Sequence, residues 1–489
     1  MPVLDAECGI CKTLTMPDGE KVIIKHHFPK ALTHHYPLPP LDATDIPVYR
    51  GNFDHDGHRF RGVVVIDLKP TPRLHAHGVR DLDFSAIPEF LKGGGTKQPA
   101  KWVDLDSLSI PTKSIPSAAK TARPPKFTRQ GGATSSAFKH LDGIDIGHPS
   151  VLDHLTFFVL NGWYGLDGFN TCYGGQERHG RVEVTLGGWQ LRLEPRGDAS
   201  PKTVRDHQRS TGASTVTHVG RIRRDNGDLF EAADALEILD ITVDLIGFAL
   251  GRVTAAVLPV GYRDSKPTWS RWQCNRAVDR PLGATPFLDV DRTAAQITEL
   301  LRAGYATSQN SLRWQVFMNM LGYHFSAEHD ATVKMKVLLP VSALQLISYA
   351  YLVEELPVAD PNHLTNNQWR ALDTVDQLRK ILDIIGVDLA VPPHMANLTK
   401  VQTDLAKAEP SKTFDALACA VKLRNEVAHP KQKLAHRWTT TEWAETGFAA
   451  TGMLHLAMLW WLGYDEKYMP KTAEYRGAGD SVDVPWHVP

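Results

Sequence analysis

The sequence predicts a multi-domain α+β protein in which β-rich N-terminal regions precede a C-terminal all-α helical bundle. Three observations carry this. At 489 residues the chain is too long for one ordinary core and suggests two to four domains. Up to about residue 285 the apolar pattern is that of short strands closed by turn residues. From about Asp291 the period changes to that of helices and keeps it to near Tyr468.

Composition narrows the class. Hydrophobic residues make up 42% and charged residues 22%, the profile of a globular protein. The formal net charge of -1 gives no global attraction to nucleic acid, so any such site must be a local patch. No apolar run reaches the length of a membrane span, and residues 1–25 lack a signal-peptide pattern. Five cysteines, an odd number scattered along the chain, argue against a disulfide framework and for a reducing compartment. The cytoplasm is the expected location, with no membrane partner.

Residues 1–110 form a β-rich region of unassigned role. Lys21–Ile24 and Arg61–Ile66 are short β-rich runs bounded by turn residues such as Asp56-Gly57. Cys8 and Cys11, followed by His26-His27, have common zinc-ligand spacing, but no second pair completes a site. Ordinary thiols beside loop histidines are the preferred reading, so no metal or other cofactor is expected. His34-His35 and His75-Ala-His77 lack matching ligands and read as surface residues. Residues 111–145 are rich in Pro, Gly and Ser and read as a linker or long loop. Its cations Lys113, Lys120, Arg123, Lys126 and Arg129 would suit an RNA-facing arm or a solvated linker.

Residues 146–285 read as an α+β middle domain and a possible sensor. Leu155–Leu160 is a compact apolar strand. Arg181–Leu186 alternates at period two, and Gly187-Gly188 turns it into Trp189–Leu193. Ser214–Ile222 is a further strand, with Asp225-Asn226-Gly227 as its turn. Between Leu229 and Leu250 the spacing of Leu236, Leu239, Val243 and Ile246 predicts one long amphipathic helix against an antiparallel sheet. Arg252–Leu258 and Trp269–Trp272 return to strand.

Residues 286–489 are helical, with helices expected at 291–303, 311–323, 333–356, 369–385, 413–428 and 441–462. The stripe Leu372, Val375, Leu378, Leu382 and the stripe Phe414, Leu417, Val421 are spaced for the core of a bundle. The last helix is apolar over much of its circumference, which suits either the bundle centre or half of a dimer interface.

Near the end of the fifth of these helices stands Leu423-Arg-Asn-Glu-Val-Ala-His-Pro430. Asn425 and His429 are four apart, so a helix stacks them on one face, with Arg424 one position round. Pro430 cannot continue the helix. A histidine that titrates near neutrality can take a proton from a ribose 2′-hydroxyl or give one to the leaving oxygen. The forked guanidinium offsets charge growing on phosphoryl oxygens. The same residues also fit a plain helix C-cap, with Arg424 and His429 at the negative end of the macrodipole.

The spacing Arg-Asn-x-x-x-His, within Ala418–Pro430, resembles the signature of HEPN ribonucleases, and the helical region is similar to the ApeA-like branch of that family, found in bacterial anti-phage defence. The likeness extends to Leu459-Trp-Trp-Leu-Gly-Tyr464, Lys467-Tyr468 and Val484-Pro485-Trp486, and upstream to Thr217–Ile222, the helix before Leu250 and Val257–Tyr262. It implies a C-terminal HEPN helical bundle and a metal-independent endoribonuclease of abortive-infection type, leaving a 2′,3′-cyclic phosphate. Arg424, Asn425 and His429 would be catalytic. It also implies a homodimer through the HEPN domain, with two motifs facing one pocket, and a phage-derived trigger sensed by the N-terminal domains. Lys422, Lys431, Lys433 and Arg437, with His436, would bind the RNA backbone or stand as solvated charges. One departure weighs against turnover: similar sequences carry an acidic residue where Gln345 follows Ala343-Leu344. The alternative is therefore a catalytically inactive HEPN protein acting as an RNA-binding or dimerisation module.

Overall fold

The computed structural model describes residues 7–15, 21–29, 32, 38–43, 45–55, 58–68, 73–80, 144–163, 167–173, 176–212, 214–272, 287–328, 332–428 and 438–487. The expected β structure before residue 110 is present in these segments. β1 (Glu7–Thr15) and β2 (Lys21–Pro29) pair antiparallel, and β3 (Asp45–His55), β4 (His58–Asp67) and β5 (Arg73–Arg80) make a three-stranded antiparallel sheet. Cys8 and Cys11 lie on β1 in register with Phe28 and Lys25, while His27 and His26 face Gly9 and Ile10. Residues 111–143 of the expected linker lie outside the described residues.

The middle region is built on one eight-stranded sheet. Its strands are β6 (Ile144–Gly147), β7 (His154–Leu160), β8 (Phe169–Tyr173), β9 (Gln176–Leu186), β10 (Trp189–Pro195), β11 (Val216–Arg224), β12 (Ala255–Arg263) and β13 (Lys266–Trp272). They run in the order β6-β13-β12-β7-β11-β10-β9-β8, every pair antiparallel. β6 begins at Ile144, so the sheet claims the last residues assigned to the linker. Cys172 on β8 is disulfide-bonded, so the odd cysteine count does not leave every thiol free.

Strand alternation gives this sheet two unlike faces. Leu155, Phe157, Val159, Val182, Val184, Leu191, Leu193 and Ile222 join the main hydrophobic core. The opposite face carries Phe158, Val219, Val260 and Tyr262, packed with Leu32 and Leu38 from the N-terminal region. It also carries a buried ion pair, Arg181 to Glu194 at 2.5 Å. The Leu32 N–H donates to Glu194 (2.7 Å) and Arg196 donates to the Pro39 carbonyl (3.0 Å), so the N-terminal segment is seated on that face.

Two connections show how local sequence sets the sheet. Gly187 and Gly188 take φ values of 54° and 84°, the two positive angles a two-residue turn between twisted strands demands. A Cβ at Gly187 would lie 2.3 Å from the Tyr305 hydroxyl, so this turn also admits a helix of the bundle. A short helix not expected from the sequence, α1 (Pro201–Thr211), fills the β10–β11 connection. Its ends are conventional: Ser200 accepts from the Thr203 N–H, Pro201 opens the first turn and Gly212 closes the helix at φ 61°.

α2 (Ala232–Leu250) is the long helix the spacing predicted, and Leu236, Leu239, Val243 and Ile246 are all buried. It differs in one respect. Every residue from 241 to 250 is buried, so its second half is covered all round rather than on one side, Thr242 and Asp244 included. One flank lies on β11 and β12, and the other meets α3 (Thr293–Ser308) and α4 (Ser311–Glu328). Phe248 reaches Phe287 at 5.1 Å and Phe317 at 5.7 Å between ring centroids. Sheet and bundle thus share one core. Asp167 adds a polar link, its carboxylate accepting the Ala294 N–H (2.8 Å) at the start of α3, where Arg292 offers no side-chain cap.

The bundle continues with α5 (Met335–Tyr349), prolonged by a π-helical turn at Ala350–Glu355, then α6 (Asn366–Ala371), α7 (Thr374–Ile385), α8 (Ala396–Ala408), α9 (Ala416–Ala428) and α10 (Thr440–Leu462). The helix expected at 369–385 is split, because Asp373 caps a new start by accepting the Asp376 N–H. α8 was not expected. Leu398, Val401 and Leu405 bury its single apolar face.

Of the two readings given for the last helix the first holds: α10 is buried around most of its circumference by α4, α5, α8 and α9 of the same chain, so its apolar surface is largely bundle core. The absence of a membrane-length apolar run needs correction. Residues Met335–Glu355 do form a helix long and apolar enough to cross a membrane, with a mean hydropathy of 1.5. Here it lies at the bundle centre, with Val337, Val341, Leu344 and Ile347 fully buried. Pro340 within it has no N–H for the Lys336 carbonyl, and a Cβ added at Gly447 of α10 would meet that oxygen at 3.4 Å. The two helices approach closely there.

The shared core predicts coupled unfolding. Phe248→Ala should cost about 3–5 kcal/mol, as for a large aromatic truncated in a core, and calorimetry should show the sheet and the bundle melting together at a lower temperature. An endotherm that splits, with one part unmoved, would contradict the shared core.

A second prediction concerns His218, which is fully buried, packed at a tilt against Trp163 with ring centroids 4.1 Å apart, and whose pKa is pushed by burial down to about 3. The unfolded chain takes up this proton near pH 6.5 and the folded chain does not, so stability is lost as pH falls below 6.5. The slope is about 1.4 kcal/mol per pH unit, roughly 2 kcal/mol by pH 5. His218→Leu should flatten the profile between pH 7 and 5 by that amount relative to wild type. Identical slopes would show that His218 is not held neutral.

Candidate active site

α9 carries Arg424 and Asn425 in its last described turns, and Pro430 follows outside the described residues. Leu417, Ala420, Val421 and Leu423 are buried and fix the helix against the bundle, which leaves Arg424 and Asn425 half-buried at its end. His429, together with Lys431, Lys433, His436 and Arg437, lies outside the described residues. Both flanks of that segment are tied to each other, because the Trp438 indole donates to Glu426 at 2.8 Å. Directly after it, the capping box of Thr439 and Glu442 starts α10.

The guanidinium of Arg424 is held by amides. Nη1 donates to Asn425 Oδ1 at 3.0 Å and Nη2 to Gln345 Oε1 at 3.3 Å. Gln345, on α5, is itself oriented by donating to Gln377 Oε1 at 3.1 Å. Gln377 of α7 is buried and anchored in turn through the Trp369 carbonyl (3.0 Å) and through Ser348, which donates to its carbonyl (2.7 Å). Three helices therefore fix one cation. The position flagged in the sequence for lacking an acidic residue is the position that touches Arg424. Among the described residues no carboxylate pairs with Arg424, and its Nε is buried without a hydrogen-bond partner.

Lys422 is placed differently. Its ammonium is hydrogen-bonded to Glu409, which also pairs with Lys412 at 2.9 Å. Lys422 and then Lys412 hold the Glu409 carboxyl down to about 2. The charge of Lys422 is thus compensated within the chain, whereas no described carboxylate answers that of Arg424.

A second polar centre, missed in the sequence, lies elsewhere in the bundle. His324 and Glu328, four apart on α4, meet His455 of α10 within 4.8 Å of one another. The His-x-x-x-Glu spacing on one helix was visible, but its partner stands more than a hundred residues away. A cavity of about 430 Å³ lined by Glu237, Asp240, Asp244 and Arg271 beside α2 is mainly acidic, the wrong sign for a phosphate, and contains none of the Arg424 set.

Residues 147–283 match the family described as YopA central domain, and residues 311–483 match the YopA C-terminal domain. The chain is 22% identical over 455 residues to a Bacillus subtilis (strain 168) protein named "SPbeta prophage-derived uncharacterized protein YopA", an alignment covering 90% of this chain and 95% of that one. No solved structure matches. The two matched regions correspond to the sheet with α2 and to the bundle from α4 onward.

The amide cradle makes a stability prediction. A half-buried cation without a counter-ion costs free energy, so Arg424→Met should leave stability unchanged or raise it by about 1 kcal/mol, whereas Gln345→Leu should lower it by about 1–3 kcal/mol by unsatisfying the guanidinium. Urea denaturation of both variants decides it. A loss of more than about 3 kcal/mol in Arg424→Met would mark Arg424 as a structural residue.

Proposed function

We propose that the chain is a metal-independent endoribonuclease of HEPN type, acting in the cytoplasm in defence against phage, with its active centre at the end of α9. The observation that carries this reading is Arg424, which pairs with no carboxylate among the described residues and is oriented by Asn425 and Gln345 just before His429 in the chain. A guanidinium fixed by neutral amides is preorganised for an anion, and phosphate oxygens match its fork. Arg424 would stabilise the charge that develops on the phosphoryl oxygens as a 2′-hydroxyl attacks. His429 would move the proton. Asn425 would hold the guanidinium in place. Two copies facing each other in a homodimer would complete the site, as the HEPN resemblance implies.

The relative's printed name places it in a prophage. A resident phage gains from a nuclease that stops a competitor, which agrees with a defence role and with a phage-derived trigger. The N-terminal segment seated on the sheet through Leu32 and Pro39 is the natural receiver of such a trigger. A second reading, an RNA-binding or dimerisation module without turnover, draws on Gln345: a neutral amide beside Arg424 supplies no charge to tune a histidine.

The test is cleavage of total RNA by the purified chain in EDTA, with His429→Ala and Arg424→Lys beside wild type. General acid–base catalysis predicts a loss of about 10²–10⁴-fold in His429→Ala with an unchanged melting temperature. Arg424→Lys should lose nearly as much, since it keeps the charge but not the fork. Cleavage at the wild-type rate by both variants would remove the nuclease reading. RNA bound but not cut by wild type would favour the module.

A further inference from the structure

We propose that His324, Glu328 and His455 form a binding site for a divalent transition-metal ion of the Zn²⁺ class, and that Lys471 stands in for the cation when no metal is bound. The proposal is independent of the nuclease reading, since it shares no residue with the Arg424 set.

The geometry is that of a metal site within a helical bundle. A His and a Glu four residues apart on α4 present side chains to one side, and α10 brings a second His across to them. One ligand atom from each residue lies within 4.8 Å of the others. Two imidazoles and a carboxylate are a donor set that suits Zn²⁺ and leaves a fourth position open.

The unused nitrogens point the same way. His324 is 0% exposed and His455 1% exposed. His324 Nε2 lies 3.3 Å from the Phe248 carbonyl and donates to it, which leaves Nδ1 as a lone-pair donor without a partner. A ligand histidine commonly fixes its second nitrogen to a backbone carbonyl in this way. His455 Nε2 is 3.2 Å from Glu328 Oε1, yet neither of its ring nitrogens has a well-directed hydrogen bond. Buried polar atoms are nearly always satisfied, so a ring nitrogen left over on each of the two histidines calls for a missing partner.

Lys471 explains how Glu328 is tolerated without metal. Its ammonium donates to both carboxylate oxygens, at 2.9 and 2.8 Å. Its side chain is 12% exposed, so it borders the cluster on the side nearest water. An entering ion would take its place on Glu328 and Lys471 would swing outward, trading one cation for another.

The test is titration of the full chain with Co²⁺ and Zn²⁺ alone, read by calorimetry and by the visible absorption of bound Co²⁺, for wild type, Glu328→Gln, His455→Asn and Lys471→Gln. Circular dichroism of the metal-free proteins checks that each variant is folded, and Glu328→Gln is the near-isosteric control. We expect one ion per chain in wild type, with the Co²⁺ band lost in Glu328→Gln and His455→Asn. Lys471→Gln should bind at least about tenfold more tightly, since a unit charge a few ångströms from the ion is removed. Equal binding by wild type, Glu328→Gln and His455→Asn would place the metal elsewhere, and unchanged or weaker binding by Lys471→Gln would remove its assigned role. Either result overturns the proposal.

Discussion

The burial of α2 on all sides is the constraint on which the architecture depends. A helix with one apolar stripe can lie on a sheet and leave its other side to water. Residues 241–250 have no such side: β11 and β12 take one flank, and α3 and α4 take the other. Removing the bundle would expose the Ile246 and Phe248 surface to water, at roughly 25 cal/mol per Å² of apolar area. The sheet and the bundle are therefore tied energetically, although the sequence changes period between them. Asp167 at the start of α3 and Tyr305 against Gly187 are lesser ties across the same boundary.

Against that background Arg424 stands out by what it lacks. Elsewhere in the bundle, partly buried arginines meet carboxylates: Arg292 with Glu466 at 2.7 Å, Arg313 with Glu355 at 2.5 Å, Arg379 with Asp415 at 2.5 Å. In each the charge is answered inside the chain. Among the described residues Arg424 is answered by the oxygens of Asn425 and Gln345, which fix direction without neutralising. A residue kept for stability gains from a carboxylate. A residue kept to receive an external anion is weakened by one, because the anion must then compete with it. Gln345 in place of an acid is consistent with the second case. It reads less as damage than as a cradle that leaves the cation available.

The parts of this arrangement set by near neighbours in sequence were legible there. Gly187-Gly188 announced a hairpin, and the three- and four-residue spacing from Leu236 to Ile246 announced α2. α1 carried its own signals, Ser200, Pro201 and Gly212, but they frame a polar segment whose periodicity is faint. The stripe from Leu372 to Leu382 suggested one helix because periodicity ignores caps, and Asp373 breaks it. What the sequence could not disclose depends on chain distance. Gln345 lies 79 positions from Arg424 and His455 lies 127 from Glu328, and only packing unites them. The fate of α10 was open for a related reason. An apolar circumference tells that a helix is covered but not by what, and here α4, α5, α8 and α9 of the same chain cover it.

Both polar centres lie in a bundle that would be more stable without them. The Arg424 cradle holds a charge with no described counter-charge. The His324–Glu328–His455 cluster holds imidazoles with idle nitrogens beside a carboxylate that pairs with Lys471. Apolar residues of similar volume at these positions would pack more favourably. The surrounding elements make the arrangement affordable. α5 is apolar enough to pass for a membrane span, and α10 is buried nearly throughout, so the bundle has hydrophobic burial to spare. The costly groups also sit where helices converge: Arg424 where α9 meets α5 and α7, and His455 where α10 faces α4. There each side chain is held by a neighbour on another helix, and a ligand at either point would meet groups already in position.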